Sequence, residues 1–159
     1  MPAGAAAVLL ALATLPLAAG DWGQYVNGRF GFAIDVPPHF VAQGESANGD
    51  GDRFTTPTAE LRAFAGYIFK GEQTLETEAS FARDAWTEDG YALTYQVTTP
   101  RFAVMSGKKG ARIVYERLVA ICGGEAFMGY SVGYSVADMK AFEPIIDRLT
   151  ASLTPPAKC

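Results

Sequence analysis

Four strand-like runs in the second half of the chain are joined by connections that only antiparallel neighbours can use. The runs are residues 91–97, 101–105, 111–121 and 126–136. They are separated by Pro100, by residues 106–110 and by residues 122–125. Parallel strands would need a crossover of about a dozen residues or more between each pair. The sequence therefore predicts a four-strand antiparallel meander.

Another strand pattern precedes this meander. Apolar residues alternate with small or polar residues over residues 30–36, and Pro37-Pro38 ends the alternation. This period of two predicts a half-buried strand. Asn27-Gly28 is a turn signal, so residues 22–26 are predicted to form a short partner strand.

The next segment changes from a polar loop to a predicted hairpin. Residues 43–53 are polar and rich in glycine, which predicts a loop. Residues 54–56 and 61–69 are strand-like and flank a turn signal at residues 57–60. We expect these two runs to pair as a hairpin.

Two segments have helical periodicity. In the first, apolar residues recur at Leu75, Ala79, Ala82 and Trp86. Thr74 is the predicted N-cap, and Asp89-Gly90 is the predicted end. In the second, one face carries Phe142, Ile145, Ile146, Leu149 and Leu153. Because Pro144 fits only a first helical turn, residues 138–142 are predicted to form a separate turn.

These elements together predict the fold class. Strands with one apolar face need cover, and two amphipathic helices can supply it. We expect one α+β domain over residues 21–159, with a mostly antiparallel sheet of about six to seven strands. The order is β-hairpins, helix, four-strand meander and C-terminal helix. The segment is long enough for its own core.

Residues 1–20 are predicted to be a signal peptide. They contain no charged side chain, are mostly Ala, Leu and Val, and end in small residues. Cleavage is expected after Ala19 or Gly20, which makes the protein periplasmic or secreted. Because the apolar stretch is close to spanning length, an uncleaved membrane anchor is the alternative.

Several motifs resemble a known family. Residues 25–37 contain an aromatic-rich strand before a proline turn, and Phe40 follows it. This segment resembles the opening of the PsbP-like superfamily. Together with residues 102–107, 114–117 and 144–153, it also resembles short exported bacterial proteins of unknown function. The resemblance implies an antiparallel sheet with helices packed on it, and it implies no catalytic residues.

One motif is typical of an enzyme. Gly129-Tyr130-Ser131-Val132-Gly133 matches the G-x-S-x-G pattern of serine hydrolases, whose serine lies on a strand-to-helix turn. Here the strand alternation continues without a break through residues 126–136. Ser131 is therefore predicted to lie within a strand, and the only histidine, His39, lies upstream. A small secreted serine hydrolase using Ser131 is kept as an alternative.

No metal or cofactor site is predicted. His39 has no second histidine or cysteine nearby, so we expect a surface residue in a loop. Asn48, Asp50 and Asp52 alternate as calcium ligands do, but the required glycine and glutamate positions hold other residues. A solvated turn is expected there. Residues 107–110 open onto a strand, which excludes a phosphate loop.

Cys122 and Cys159 are predicted to form a disulfide. Two cysteines in a small exported domain usually pair, and this pairing would fix the C-terminal tail. An intermolecular disulfide through Cys159, or free thiols if the protein is not exported, remain open. The absence of a CxxC motif argues against thiol–disulfide catalysis.

These observations favour a binding role. A net charge of −4 without a basic stripe argues against nucleic acid as a partner. Acidic residues cluster around the first helix and basic residues in the meander, which could steer a partner. The chain has two Trp, seven Tyr and ten Phe; core packing explains most of them, and some could line a binding surface. We expect an exported, non-catalytic ligand- or protein-binding or assembly accessory domain of unknown partner and oligomeric state. A membrane-tethered structural protein is the further alternative.

Overall fold

The computed structural model describes residues 20–159, which form a seven-stranded antiparallel sheet, a two-stranded hairpin and two helices. The strands are β1 (Gly23–Val26), β2 (Ala33–Val36), β3 (Val41–Glu45), β4 (Gly51–Thr55), β5 (Glu60–Tyr67), β6 (Ala92–Thr98), β7 (Phe102–Lys109), β8 (Arg112–Ile121) and β9 (Ala126–Ser135). The helices are α1 (Leu75–Glu88) and α2 (Met139–Ser152). The predicted α+β class is confirmed. Of the predicted signal peptide, residues 1–20, all but Gly20 lie outside the described residues.

The large sheet has the order β3-β4-β5-β9-β8-β7-β6. β6, β7, β8 and β9 are consecutive neighbours, so the predicted meander is confirmed. β9 also pairs with β5 and thereby joins the meander to β3, β4 and β5. This long-range pairing makes β9 a central strand. β1 and β2 form the separate hairpin that Asn27-Gly28 indicated.

The predicted loop at residues 43–53 is wrong in part, since β3 and β4 occupy most of it. β3 lies at the edge of the sheet, and all five of its residues are exposed. An edge strand that buries no side chain needs no apolar alternation, so it carries no periodic signal. Only the turn at residues 46–50 remains of the predicted loop.

α1 follows its sequence signals closely. The Thr74 side chain accepts a hydrogen bond from the backbone of Thr77, and the Thr77 side chain accepts one from the backbone of Thr74. This capping box satisfies two backbone donors at the start of the helix. Gly90 follows the helix with a φ of 94°, a conformation that glycine adopts without strain.

α2 corrects the prediction for Pro144. The helix begins at Met139, so Pro144 lies in its second turn rather than its first. The proline removes the hydrogen bond to the Lys140 carbonyl, on an exposed part of the helix. Burial of Phe142 and Leu149 offsets this loss, and the Phe142 ring stacks on Tyr134 with centroids 4.3 Å apart.

The two sheet faces are covered differently. On one face, α2 and the β1-β2 hairpin enclose the main core, which includes Phe32, Leu61, Tyr130 and Leu149. On the other face, α1 packs over β6, β7 and β8 around a smaller cluster. No helix within residues 20–159 is long and apolar enough to cross a membrane.

Candidate functional site

A row of polar side chains crosses the centre of the sheet on the face that carries α1. Ser131 of β9 is paired with Arg62 of β5 on one side and with Glu116 of β8 on the other. Residues that are directly opposite in an antiparallel sheet project to the same face. The register therefore places a guanidinium, a hydroxyl and a carboxyl next to one another.

The last turns of α1 form a wall beside this row. At the start of the helix, Leu75 and Ala79 are buried against the sheet. At the other end, the Trp86 indole Nε1 donates a hydrogen bond of 2.6 Å to Oε2 of Glu116. The Trp86 ring also meets Tyr91 edge to face, with centroids 5.2 Å apart. The periodicity that predicted an inward-facing Trp86 was correct, and the residue it meets is a carboxylate.

Between α1 and β4–β5 the sheet is open, and a groove of about 690 Å³ lies there. Arg62, Ser131 and Glu116 lie along its floor, and Ala82, Ala85 and Trp86 line the α1 side. Ser131 is too small to fill the space between its two long neighbours. The helix packs on β6–β8 rather than on β5, so the floor between α1 and β5 stays open.

Glu116 has the most perturbed environment in the groove. It is only 6% exposed, although it is a carboxyl. Burial raises the pKa of Glu116 to about 7, while the Trp86 hydrogen bond and the Arg62 charge act in the opposite direction. The carboxyl therefore gains or loses its proton near neutral pH, which is a property of functional sites.

Two arginines on the groove are held by a shared carboxylate. Glu60 accepts a hydrogen bond of 2.5 Å from Arg62 Nε and lies 3.6 Å from an Arg53 guanidinium nitrogen. About half of each arginine side chain is exposed. Exposed ion pairs of this kind contribute little stability, so the arginines can exchange partners with an anionic group of a ligand.

The predicted calcium-like residues form part of the groove rim. Asp50 is bound by Arg29 at 2.6 Å and by the Asn48 amide at 2.5 Å. These contacts engage both oxygens of the Asp50 carboxylate, and the segment forms the expected turn. Within residues 20–159, no group of three His, Cys, Asp or Glu side chains is placed to hold a metal ion.

The structure places Ser131 in the middle of β9, as the strand alternation predicted. It is 4% exposed and has no strand-to-helix turn around it. His39 precedes β3, which is three strands away from β9 in the sheet, and it does not line the groove. The geometry does not bring this serine and histidine together as a nucleophile and its base.

The predicted cysteine pair lies away from the groove. Cys122, directly after β8, is bonded to Cys159 with their Cα atoms 5.5 Å apart. Before Cys159, the tail runs beside β2, where the backbones of Ala33 and Thr154 exchange two hydrogen bonds. The disulfide therefore fastens the tail to the α2 face of the molecule.

Sequence reasoning missed Glu116 as a site residue. A signal was present, since Val114 and Leu118 flank Glu116 at strand spacing and both are buried. A carboxyl between two apolar residues on one face of a central strand is a buried charge that requires an explanation. The strand period therefore indicated a buried carboxyl at Glu116. It did not indicate which residues of the adjacent strands lie beside that carboxyl.

Solved structures identify the architecture. The solution structure of cyanobacterial PsbP from Synechocystis sp. PCC 6803 covers 87% of this chain, and 95% of that chain is matched, with a TM-score of 0.65 and 8% identity. The chain has a PsbP-like fold. The crystal structure of the Ran-binding protein Mog1p from Saccharomyces cerevisiae is also similar, with a TM-score of 0.60, 7% identity, and coverage of 84% and 95% of the two chains.

At such low identity, these similarities show the PsbP-like fold alone, and they confirm the resemblance drawn from the sequence motifs. No protein-family model matches the chain, and no curated protein matches it by sequence. The residues of the groove must therefore be interpreted from their own chemistry.

Proposed function

We propose that this protein is an exported, non-catalytic binding or assembly accessory domain, and that the groove beside α1 is its binding site. The observation that carries the proposal is the buried Glu116 carboxyl at the floor of an open groove. A buried titratable group with a shifted pKa at the floor of a concave site is a candidate for ligand recognition. The position of Ser131 within a strand favours binding over hydrolysis.

The export part of the proposal rests on residues 1–20 and on the cysteines. The uncharged apolar segment is typical of a signal peptide. The Cys122–Cys159 bond fits an oxidising compartment, where such bonds persist. We therefore propose a periplasmic or secreted protein, with an uncleaved anchor as the alternative outcome.

Native mass spectrometry of the protein from its own envelope fraction tests export. The expected mass corresponds to a chain that begins at Asp21 or Gly20 and lacks two hydrogens because of the disulfide. A full-length mass in the membrane fraction would show an anchor instead. Free thiols on a full-length soluble chain would contradict export.

A blocked groove tests the binding site. Ala85→Trp places a bulky side chain at the groove wall on an exposed helix position. Ala92→Trp makes the same change on exposed β6 outside the groove and is the matched control. Small molecules released from each denatured protein are compared by mass spectrometry. We expect a retained molecule in the wild type and the control but not in Ala85→Trp.

A further inference from the structure

Among the described side chains, a hydrogen bond reaches only one of the two carboxyl oxygens of Glu116. Among the described residues, the side chain that hydrogen-bonds it is Trp86, and this bond engages Oε2. No fully buried side-chain nitrogen or oxygen within residues 20–159 lacks a hydrogen-bond partner. Oε1, which receives no side-chain hydrogen bond there, therefore keeps contact with the groove, where a ligand donor can reach it.

Charges of opposite sign lie at the two ends of the floor. Glu116 and Arg62 are separated by one strand, so their Cα atoms lie about 10 Å apart at ordinary strand spacing. The hydroxyl of Ser131 lies between them. Glu60 holds the Arg62 guanidinium and Trp86 holds the Glu116 carboxyl, so the floor above Ser131 is left as a gap that a small bipolar molecule can bridge.

The α1 side of the groove is apolar. Ala82, Ala85 and the Trp86 ring supply carbon surface, and Phe64 continues it on β5. An aromatic or aliphatic group of a ligand would be desolvated against this wall while its polar end meets the floor. The wall and the floor together select a molecule with a charged head and an apolar side chain.

We propose that the groove binds a zwitterion of the amino-acid class, whose ammonium group donates to Oε1 of Glu116 and whose carboxylate meets Arg62. This inference rests on the proposed function and adds the class of ligand to it. The apolar side chain of the ligand then packs against Trp86 and Ala82.

The proposal predicts that ligand binding is coupled to proton release from Glu116. Arg62 is the charged residue that faces Glu116 from β5, whereas α1 presents Trp86, β7 presents Met105 and β9 presents Ser131, which are uncharged. Burial holds part of the Glu116 population protonated near pH 6.5, and its pKa is about 7. Because an ammonium group favours the ionised carboxyl, binding releases a proton from Glu116.

Three matched probes separate the two charges of the ligand in calorimetric titrations. L-phenylalanine carries both groups, 2-phenylethylamine carries only the ammonium, and 3-phenylpropanoate carries only the carboxylate. We expect L-phenylalanine to bind most tightly and 3-phenylpropanoate least tightly. Titrations at pH 6.5 in buffers of different ionisation enthalpy should show proton release with the two amines.

Two variants assign the contacts. Glu116→Gln should weaken L-phenylalanine and 2-phenylethylamine by about tenfold or more and leave 3-phenylpropanoate unchanged, since a bond to a charged partner is lost. Arg62→Gln should weaken L-phenylalanine and 3-phenylpropanoate. Glu88→Gln, at an exposed position of α1, is the charge-matched control and should change nothing.

The outcomes also separate this inference from the proposed function. The zwitterion proposal is overturned if 3-phenylpropanoate and L-phenylalanine bind with equal affinity. It is also overturned if Glu116→Gln binds L-phenylalanine as tightly as the wild type does. The same holds if no probe binds. If the wild type then still retains a native small molecule that Ala85→Trp loses, the groove is a binding site for another class. If nothing is retained, both proposals fail.

Discussion

The two faces of the sheet use the same strands for different purposes. The face under α2 is closed by large apolar side chains such as Phe32, Tyr130 and Leu149, all of which are fully buried. The face under α1 is closed only over β6–β8, and its centre carries Arg62 and Glu116. Neighbouring residues of one strand, such as Tyr130 and Ser131, belong to these opposite environments.

Under the binding proposal, the α2 face supplies stability and the α1 face supplies recognition. Burial of apolar area supplies most of the stabilising free energy, so the α2 face is expected to carry it. A buried carboxyl opposes folding when it is ionised, so Glu116 is expected to lower the stability of the α1 face at high pH. Substitutions on the two faces should therefore differ in size and in pH dependence.

The largest expected effect is the loss of a core aromatic on the α2 face. Phe32→Ala removes a ring that is fully buried. The centroid of this ring lies 5.9 Å from the centroid of the Tyr25 ring. We expect the free energy of unfolding to fall by about 4 kcal/mol, because a large cavity remains. Phe81→Ala on α1, where the ring is 59% exposed, is the matched control and should stay within about 0.5 kcal/mol. Equal losses in denaturant titrations would remove the contrast between the faces.

The disulfide comes next, since it ties the C-terminal tail to the α2 face. The double variant Cys122→Ser, Cys159→Ser opens a loop whose ends are 37 residues apart. Loop-closure entropy predicts a loss of up to about 4 kcal/mol. Urea unfolding of the variant and of the reduced wild type should give the same loss. If reduction leaves the midpoint unchanged, the bond does not stabilise this face.

Local signals allowed much of the fold to be predicted from the sequence. The cap and the end of α1 depend on Thr74 and Gly90, which act through their immediate neighbours. β3 was not predicted, because an exposed edge strand has no buried face to produce an apolar alternation. The start of α2 was misplaced because Pro144 was assigned to the first helical turn, whereas the helix begins at Met139 and continues through the proline.

The groove was beyond the reach of such signals. It depends on β9 pairing with both β5 and β8, which brings Arg62 and Glu116 to one row from distant parts of the chain. Strand period indicates which face a residue takes, but not which strand lies beside it. The groove also depends on which strands α1 covers and which it leaves open. The chemistry of the site was therefore visible only once the register was known.

The α1 face should show a pH dependence that the α2 face lacks. Burial raises the pKa of Glu116 from an ordinary 4.5 to about 7, so the folded protein binds this proton more tightly than the unfolded chain. The carboxyl therefore contributes most stability below pH 4.5 and loses that contribution as the pH rises through about 7. Relative to the wild type, Glu116→Gln should gain about 3 kcal/mol between pH 4 and pH 8.

The measurement is the difference in unfolding free energy between variant and wild type across this pH range. Taking the difference removes the titration of groups that both proteins share. Glu88→Gln is the control at an exposed position of α1, and its difference should stay flat. A flat difference for Glu116→Gln as well would mean that the carboxyl is solvated and that the two faces do not differ in this respect.

The smallest expected effect isolates the bond between α1 and the groove floor. Trp86→Phe keeps an aromatic ring but removes the Nε1 donor that Oε2 of Glu116 accepts. A hydrogen bond to a charged group contributes about 2 kcal/mol, so this loss is expected at pH 8, where Glu116 is ionised. At pH 5 the carboxyl is protonated and the loss should be smaller. In the Glu116→Gln background the pH dependence of the loss should vanish, since the charge is absent. An equal loss at both pH values would show that the indole acts through packing alone.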